Sequence, residues 1–361
     1  MLADFIPLID SQVQKNKEKI ENKSLLFLKE GESLIDYVSL YTQINIPKGN
    51  FSPLTWALMR GEKGSFFFKK IRTVKIKYHI ETQRFLITGK LINLFYDTQV
   101  LNVDDIYGRD IERFTKEVNE YLSRLTGVKI DINTFTVARV DYCFNVETPF
   151  VQTYLDVLNG AFKTVDTGKR MNFSAENKTP GSVYIKTTSD YRKNTRTNYT
   201  LNFYNKAEWI ANQREQGGWI SKEDDGFAKN VLRLEVQVSY TLLKAICKKH
   251  RMERIFRNFF AYEMAFETIC TVYSRIFHCD MQHDFYTYKT AKQIISNRKA
   301  RAVLELAAEH HTVSTSKYSY AVSLIKDKGI FPYAFIPAKA EVDYLPNPLK
   351  LIQDKISTQI K

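Results

Sequence analysis

The chain has 361 residues, 44% of them hydrophobic and 26% charged, the make-up of a folded globular protein rather than a disordered or fibrous one. Its 53 basic and 40 acidic residues leave a formal charge of +13, which points to a polyanionic partner. No apolar run approaches the ~18 residues needed to cross a bilayer, the N-terminus does not read as a signal peptide, and the four cysteines form no C-x-x-C pair. Membrane-spanning, disulfide-scaffold and zinc-ribbon classes are thereby set aside, and a cytoplasmic protein without membrane contact is expected.

Residues 1–60 give little pattern beyond Phe5, Ile6 and Leu8, which could open an edge strand, and a Pro/Gly loop at 46–53. From Gly64 to Tyr96 the β signal is strong, with a polar break at Glu81–Gln83. An amphipathic helix is predicted over 105–125, its stripe formed by Ile111, Phe114, Val118 and Leu122 and its end marked by Gly127. A strand at 137–146, a helix near 151–162 and a polar loop at 171–181 follow. Next come a hairpin of 182–188 with 199–204 around a basic tip, and a strand at 230–239. Beyond Tyr240 the pattern turns helical, with segments at 241–250, 252–276, 291–310 and 318–328. The expected organisation is an α+β domain over 1–240 and a helical region over 241–361, with no internal repeat. The fold class is α+β, an antiparallel sheet with helices on one face and its polar face open.

Three stretches alternate apolar and polar residues, and a strand points successive side chains to opposite faces. The first sets Arg139, Asp141 and Asn145 against Val140, Tyr142 and Phe144. The third sets Arg233, Glu235 and Gln237 against Leu234 and Val236. The second sets Asn202, Tyr204 and Lys206 against Leu201 and Phe203. A carboxylate inside such a strand is costly unless it faces water, a cation or a metal. Asp141 and Glu235 therefore read either as oxygen ligands for Mg²⁺ or Mn²⁺ or as partners of Arg139 and Arg233 on a solvated face. A tyrosine hydroxyl, with pKa near ~10, attacks only where its oxyanion is stabilised. Tyr204 with Lys206 nearby fits that need, while Tyr184, Tyr191 and Tyr199 compete. The tip residues Arg192, Lys193 and Arg196 could grip phosphates, as could 69–77, 248–257 and 297–301. His278, Cys279 and His283 lack a ligand spacing, and His79 has no evident partner.

Taken in order, PLIDS (7–11), ARVDYCFNVETP (138–149), YTLNFYNKAE (199–208) and VLRLEVQV (231–238) resemble the gene II/gene X replication-initiator family of filamentous phages and rolling-circle plasmids. The resemblance implies a relative of the HUH and Rep_trans nicking endonucleases, acting in the cytoplasm of a bacterial host. It places the nicking tyrosine at Tyr204, its accompanying lysine at Lys206 and metal ligands at Asp141 and Glu235. Arg139 and Arg233 would position the phosphate. The family's G-H-N element is absent from GKLINLFYDTQ (89–99), where Asn93 or Asp97 could substitute, and there is no H-x-H pair. The implied activity is nicking and rejoining of one strand through a 5′-phosphotyrosine at a phage or plasmid origin. Implied partners are single-stranded and origin DNA, a host helicase and a host polymerase. The C-terminal helices (roughly 289–329) would bind duplex in a winged-helix manner. A conjugative relaxase or transposase with the same chemistry, or a non-enzymatic DNA-binding regulator, are the alternatives; oligomeric state stays open.

Overall fold

The computed structural model describes residues 35–62, 64–98, 110–165, 172–175, 182–188, 199–217 and 222–359. Their strands are β1 (Ile35–Gln43), β2 (Ala57–Gly61), β3 (Gly64–Ile71), β4 (Val74–His79), β5 (Arg84–Gly89) and β6 (Thr136–Glu147). After these come β7 (Asn172–Ala175), β8 (Ser182–Thr188), β9 (Tyr199–Asn205), β10 (Val231–Val238), β11 (Phe285–Tyr286) and β12 (Tyr344–Leu345). The helices are α1 (Ile111–Thr126), α2 (Val151–Thr164), α3 (Lys206–Glu215), α4 (Lys222–Ala228) and α5 (Tyr240–His250). Toward the C-terminus follow α6 (Tyr262–Phe277), α7 (Tyr288–Ile294), α8 (Arg298–Ala308), α9 (Thr315–Lys326) and α10 (Pro348–Gln359).

Strands β1–β10 form one antiparallel sheet in the order β2-β3-β4-β5-β1-β6-β10-β9-β8-β7. This order contains a repeat that the amino-acid sequence does not display. In each half a first strand (β1 or β6) is followed by a four-strand meander whose last strand (β5 or β10) returns to pair with it. The antiparallel β1–β6 pair joins the halves. The resulting approximate two-fold runs through the sheet, so both halves turn the same kind of face to the same side.

Apolar alternation fixes which side that is. Val140, Phe144, Phe203, Leu234 and Val236 are buried on one face, against which α2, α6 and α10 pack through β6, β8, β9 and β10. Phe144 meets Phe266 of α6 edge-on at 6.2 Å, and Phe203 meets Tyr273 at 6.4 Å. In the other half the same face buries Val74, Ile76, Tyr78, Phe85 and Ile87. There Phe51 stacks on Phe67 and Tyr78. One continuous core includes residues of α1, of both sheet halves and of the C-terminal helices. Buried Asp284 fastens its C-terminal end, accepting hydrogen bonds from Tyr344 Oη, Asn347 N and Lys350 Nζ. Tyr154 of α2 donates to the Pro346 carbonyl at 2.8 Å.

Several expectations change in detail. α1 starts at Ile111 because the Asp110 side chain accepts from Arg113 N, and it stops where Gly127 takes φ 67°; residues 99–109 lie outside the described residues. Within the β-rich run, residues 65–80 form a hairpin turned at Arg72 with φ 50°. Residues 172–175, read as loop, form β7. The helix expected over 291–310 is two, since Asn297 caps α8 by accepting from Lys299 N and Ala300 N. The helix expected over 252–276 begins only at Tyr262, after a 3-10 turn at Phe256–Phe259. Phe5, Ile6, Leu8 and the PLIDS segment lie outside the described residues. No helix among the described residues is long and apolar enough to cross a membrane.

Candidate functional site

Directly opposed residues of an antiparallel pair share a face. Glu235 of β10 stands opposite Cys143 of β6 and Asn202 of β9. Arg233 stands opposite Asn145 and Tyr204, and Gln237 opposite Asp141 and Thr200. Register alone therefore gathers Asp141, Asn202, Tyr204, Arg233 and Glu235 on the face away from α2 and α6.

This polar face is closed, against the expectation that it stays open. Tyr204, Lys206, Asp141 and Arg233 are all buried. The strand β9 ends at Asn205, whose side chain accepts from Ala207 N and starts α3. Lys206 is thus the first helical residue and not a strand residue on the Tyr204 face. A side-chain oxygen at the helix cap competes successfully with continued strand pairing. α3 packs back on β9 and β10, and Trp209 sits with its ring 3.9 Å from Lys206 Nζ and 6.3 Å from the Tyr204 ring. Thr98 Oγ1 donates to Asp224 Oδ1 of α4 at 2.7 Å, tying the segment after β5 to a helix that packs on α3.

Tyr204 Oη donates to Glu235 Oε2 at 3.3 Å, and Gln237 Nε2 donates to Glu235 Oε1 at 3.1 Å. Burial pushes the Tyr204 hydroxyl well above the usual tyrosine range; the Arg233 charge opposes this and the Glu235 charge adds to it. Burial also pulls Lys206 well below the ordinary lysine range, with the Arg233 and Lys90 charges acting in the same direction. Arg139 forks onto Asp141, Nε to Oδ1 at 2.7 Å and Nη2 to Oδ2 at 2.5 Å. Burial nevertheless pushes Asp141 up to about 8, Arg139 lowering it and Glu235 raising it. The Cys143 thiol is pushed up to about 12 by burial, so it stays protonated and is no nucleophile.

Of the two carboxylate–arginine pairs considered, only Asp141–Arg139 forms. Arg233, fully buried, donates instead from Nη2 to Asp36 Oδ1 at 2.7 Å, and also lies 2.9 Å from Cys143 Sγ. Lys90 Nζ lies 3.1 Å from the same Asp36 oxygen. Burial alone would raise Asp36, but the Arg233 and Lys90 charges outweigh it and hold the carboxyl well below the usual range. Asp36 is the site residue that the sequence reading missed. It is the extra residue of a bulge, since Ile35 and Tyr37 pair with the adjacent Tyr142 and Asp141. The available signal was an acidic residue inside the alternating run IDYVSLY (35–41).

The donors suit a hard cation only in part. Asp141 and Glu235 sit on diagonal positions of adjacent strands, and Asn202 Oδ1, opposite Glu235, is buried without a hydrogen-bond partner. Two carboxylates and a carbonyl oxygen match the sparse protein ligation of Mg²⁺, which keeps waters and takes substrate phosphate oxygens. Asp141 is already forked by Arg139, and no three His, Cys, Asp or Glu groups cluster among the described residues. Of the proposed substitutes, Asp97 pairs with Arg72 at 3.9 Å, while Asn93 donates from Nδ2 to Thr73 Oγ1 and keeps its Oδ1 buried without a hydrogen-bond partner. Tyr184 lies on the site face opposite Asn202. Tyr191, Arg192, Lys193 and Arg196 lie outside the described residues. His283 pairs with Asp280.

No protein-family model matches the chain, and no curated protein matches it. Among solved structures, a rolling circle replication initiator protein from Geobacillus stearothermophilus aligns with 61% of this chain and 78% of its own, at 10% identity and a TM-score of 0.30. A likeness that distant assigns neither fold nor function.

Proposed function

We propose that the chain is a replication initiator that nicks and rejoins one DNA strand, with Tyr204 as nucleophile. The observation that carries this reading is the hydrogen bond from Tyr204 Oη to Glu235, set beside Lys206 and Arg233 in one buried cluster. Resemblance of the three strand motifs to the gene II/gene X family supports it independently.

In the forward step Tyr204 Oη bonds to the scissile phosphorus and the P–O3′ bond breaks. The hydroxyl proton passes to Glu235, the carboxylate it already contacts, and the departing 3′ oxygen takes up a proton to become a free 3′-hydroxyl. That end can prime a host polymerase, with a host helicase opening the duplex. Rejoining is the reverse attack by a 3′-hydroxyl on the phosphotyrosine. Lys206, Arg139 and Arg233 offset charge on the phosphate. A Mg²⁺ or Mn²⁺ ion held by Asp141, Glu235 and Asn202 would polarise the phosphate and orient the attack. Arg139 leaves Asp141 for that purpose, and its exposed position permits this. The finer assignment of the C-terminal helices to origin duplex in a winged-helix manner belongs to the same proposal, as does phosphate gripping by Arg192, Lys193 and Arg196.

The test is a labelled single strand from the cognate origin, Mn²⁺, and denaturing gels of wild type beside Tyr204→Phe. A denaturant-resistant adduct in wild type alone is expected. An adduct in both moves the nucleophile to Tyr184 or Tyr191. Salt-sensitive binding without any adduct favours the DNA-binding regulator.

A further inference from the structure

We propose that the exposed face of the other sheet half, β1–β5, is a binding track for single-stranded DNA that runs into the Tyr204 site. The face is the same side of the sheet as the site. Through register, Asp141 and Arg139 of β6 oppose Tyr37 and Ser39 of β1. Ser39 in turn opposes Thr88, Thr88 opposes Lys75, and Lys75 opposes Lys70. A second row runs Tyr41, Leu86, Lys77, Phe68. A third runs Arg84, His79, Phe66.

Three features of these rows specify the ligand. First, no acidic residue occupies this face of β2–β5, while Lys70 and Lys75 stand directly opposite each other. Like charges so placed destabilise a sheet, and polyanion binding offsets that cost. Second, the cations are interleaved with aromatic rings. Lys77 Nζ lies 5.1 Å from the Phe66 ring centre and 5.9 Å from that of Phe68. The Arg84 guanidinium lies 4.0 Å over Tyr41, and Arg139 lies 4.8 Å from Tyr37. Flat rings and a guanidinium plane stack unpaired bases, and the lysines reach phosphates; a duplex hides its base faces and would use only the charges. Third, the face is only partly covered, with Lys70, Lys75 and Arg84 exposed and Phe66 and Phe68 half-buried. Partly exposed aromatics among exposed lysines on a sheet are a poor choice for a face meant only for water.

The distance fits a strand rather than a mononucleotide. From β3 to β9 there are six inter-strand steps in the sheet order, about 29 Å at ~4.8 Å per step. A single strand of about ten nucleotides would cover it, within the range of known single-strand sites. Where the track leads rests on the proposed role of Tyr204; the binding itself does not.

The experiment uses the full chain carrying Tyr204→Phe, which lacks the proposed nucleophile, in metal-free buffer with fluorescein-labelled oligo(dT) of 4 to 20 nucleotides, read by anisotropy. Affinity should rise with length to about ten nucleotides and then level off, and a duplex of equal charge should bind at least tenfold more weakly. Phe66→Ala with Phe68→Ala should weaken oligo(dT) about tenfold or more, since each stack is worth ~1–3 kcal/mol. Phe66→Tyr with Phe68→Tyr should retain binding, which separates a lost stack from a lost fold. Lys75→Gln with Lys77→Gln should reduce the salt slope by about 1.4, at ~0.7 per phosphate contact. Lys116→Gln with Lys129→Gln, on and just after α1, should change neither quantity. Equal losses in that control pair, or unchanged affinity in the Phe→Ala pair, would overturn the track. If oligo(dT) binds as described and the wild type forms no adduct, the track stands and the nicking role falls.

Discussion

The two halves of the sheet share one topology and differ in what covers their polar face. In the β6–β10 half that face is covered by α3 and its Trp209, and Arg233 there is neutralised by Asp36 of β1. In the β1–β5 half the corresponding face is only partly covered, and Lys77 and Arg84 there have aromatic rings for neighbours. Arg233 on β10 and Arg84 on β5 occupy the strand that returns beside the central pair in their respective halves. One is fully buried and bonded to Asp36; the other is exposed over Tyr41. Topology thus sets where side chains gather, and burial decides whether they pair with one another or stay open to solvent.

The largest effect expected from this contrast is in stability. Arg233→Met removes a buried guanidinium and leaves half-buried Asp36 with only Lys90 in ion-pair contact, and should cost about 3 kcal/mol. Arg84→Met should stay within ~0.5 kcal/mol. Urea midpoints of the two variants measure the difference, and equal shifts would erase the distinction between the halves.

A smaller effect is pH-dependent. Burial raises the Asp141 carboxyl from the ordinary carboxylate range to about 8 in the folded protein. A raised carboxyl binds its proton more tightly folded than unfolded, so its contribution is full below about pH 4 and is lost as pH climbs toward about 8. Asp141→Asn should flatten the fall in stability over that window, read from denaturant midpoints at pH 5, 7 and 9. By the same sign, adduct formation that needs ionised Asp141 should rise with pH through about 8. Smaller again, Thr98→Val removes the bond to Asp224 and should cost about 1 kcal/mol. Urea midpoints measure this loss as well. Least of all, 0.5 M salt should leave the closed half's contribution nearly unchanged, since buried pairs are weakly screened.

Much of the site's placement was legible from alternation. The apolar and polar rows of 137–146 and 230–239 follow from a period of two, and strand pairing then brings Asp141, Tyr204 and Glu235 to one face. Lys206 was misplaced because a strand pattern does not announce its end, and the Asn205 cap became evident only with the helix formed behind it. Asp36 was missed for a different reason: a bulge adds one residue, so the side chain falls out of step with its strand. The closure of the face came from α3 folding back, a tertiary event with no local period. The doubled topology also escaped notice, because backbone pairing can repeat where side chains do not.

The knot at Asp284 and the Tyr154–Pro346 bond carry a consequence for how such a chain could change over generations. The C-terminal helices close the core of the sheet and share its interior. A crossover near residue 240 that imported a foreign C-terminus would bring helices shaped for another interior and leave Phe144, Phe203 and Leu234 poorly matched. Change in such a chain would then proceed by substitution on exposed loops and helix faces, and whole-module exchange would be selected against.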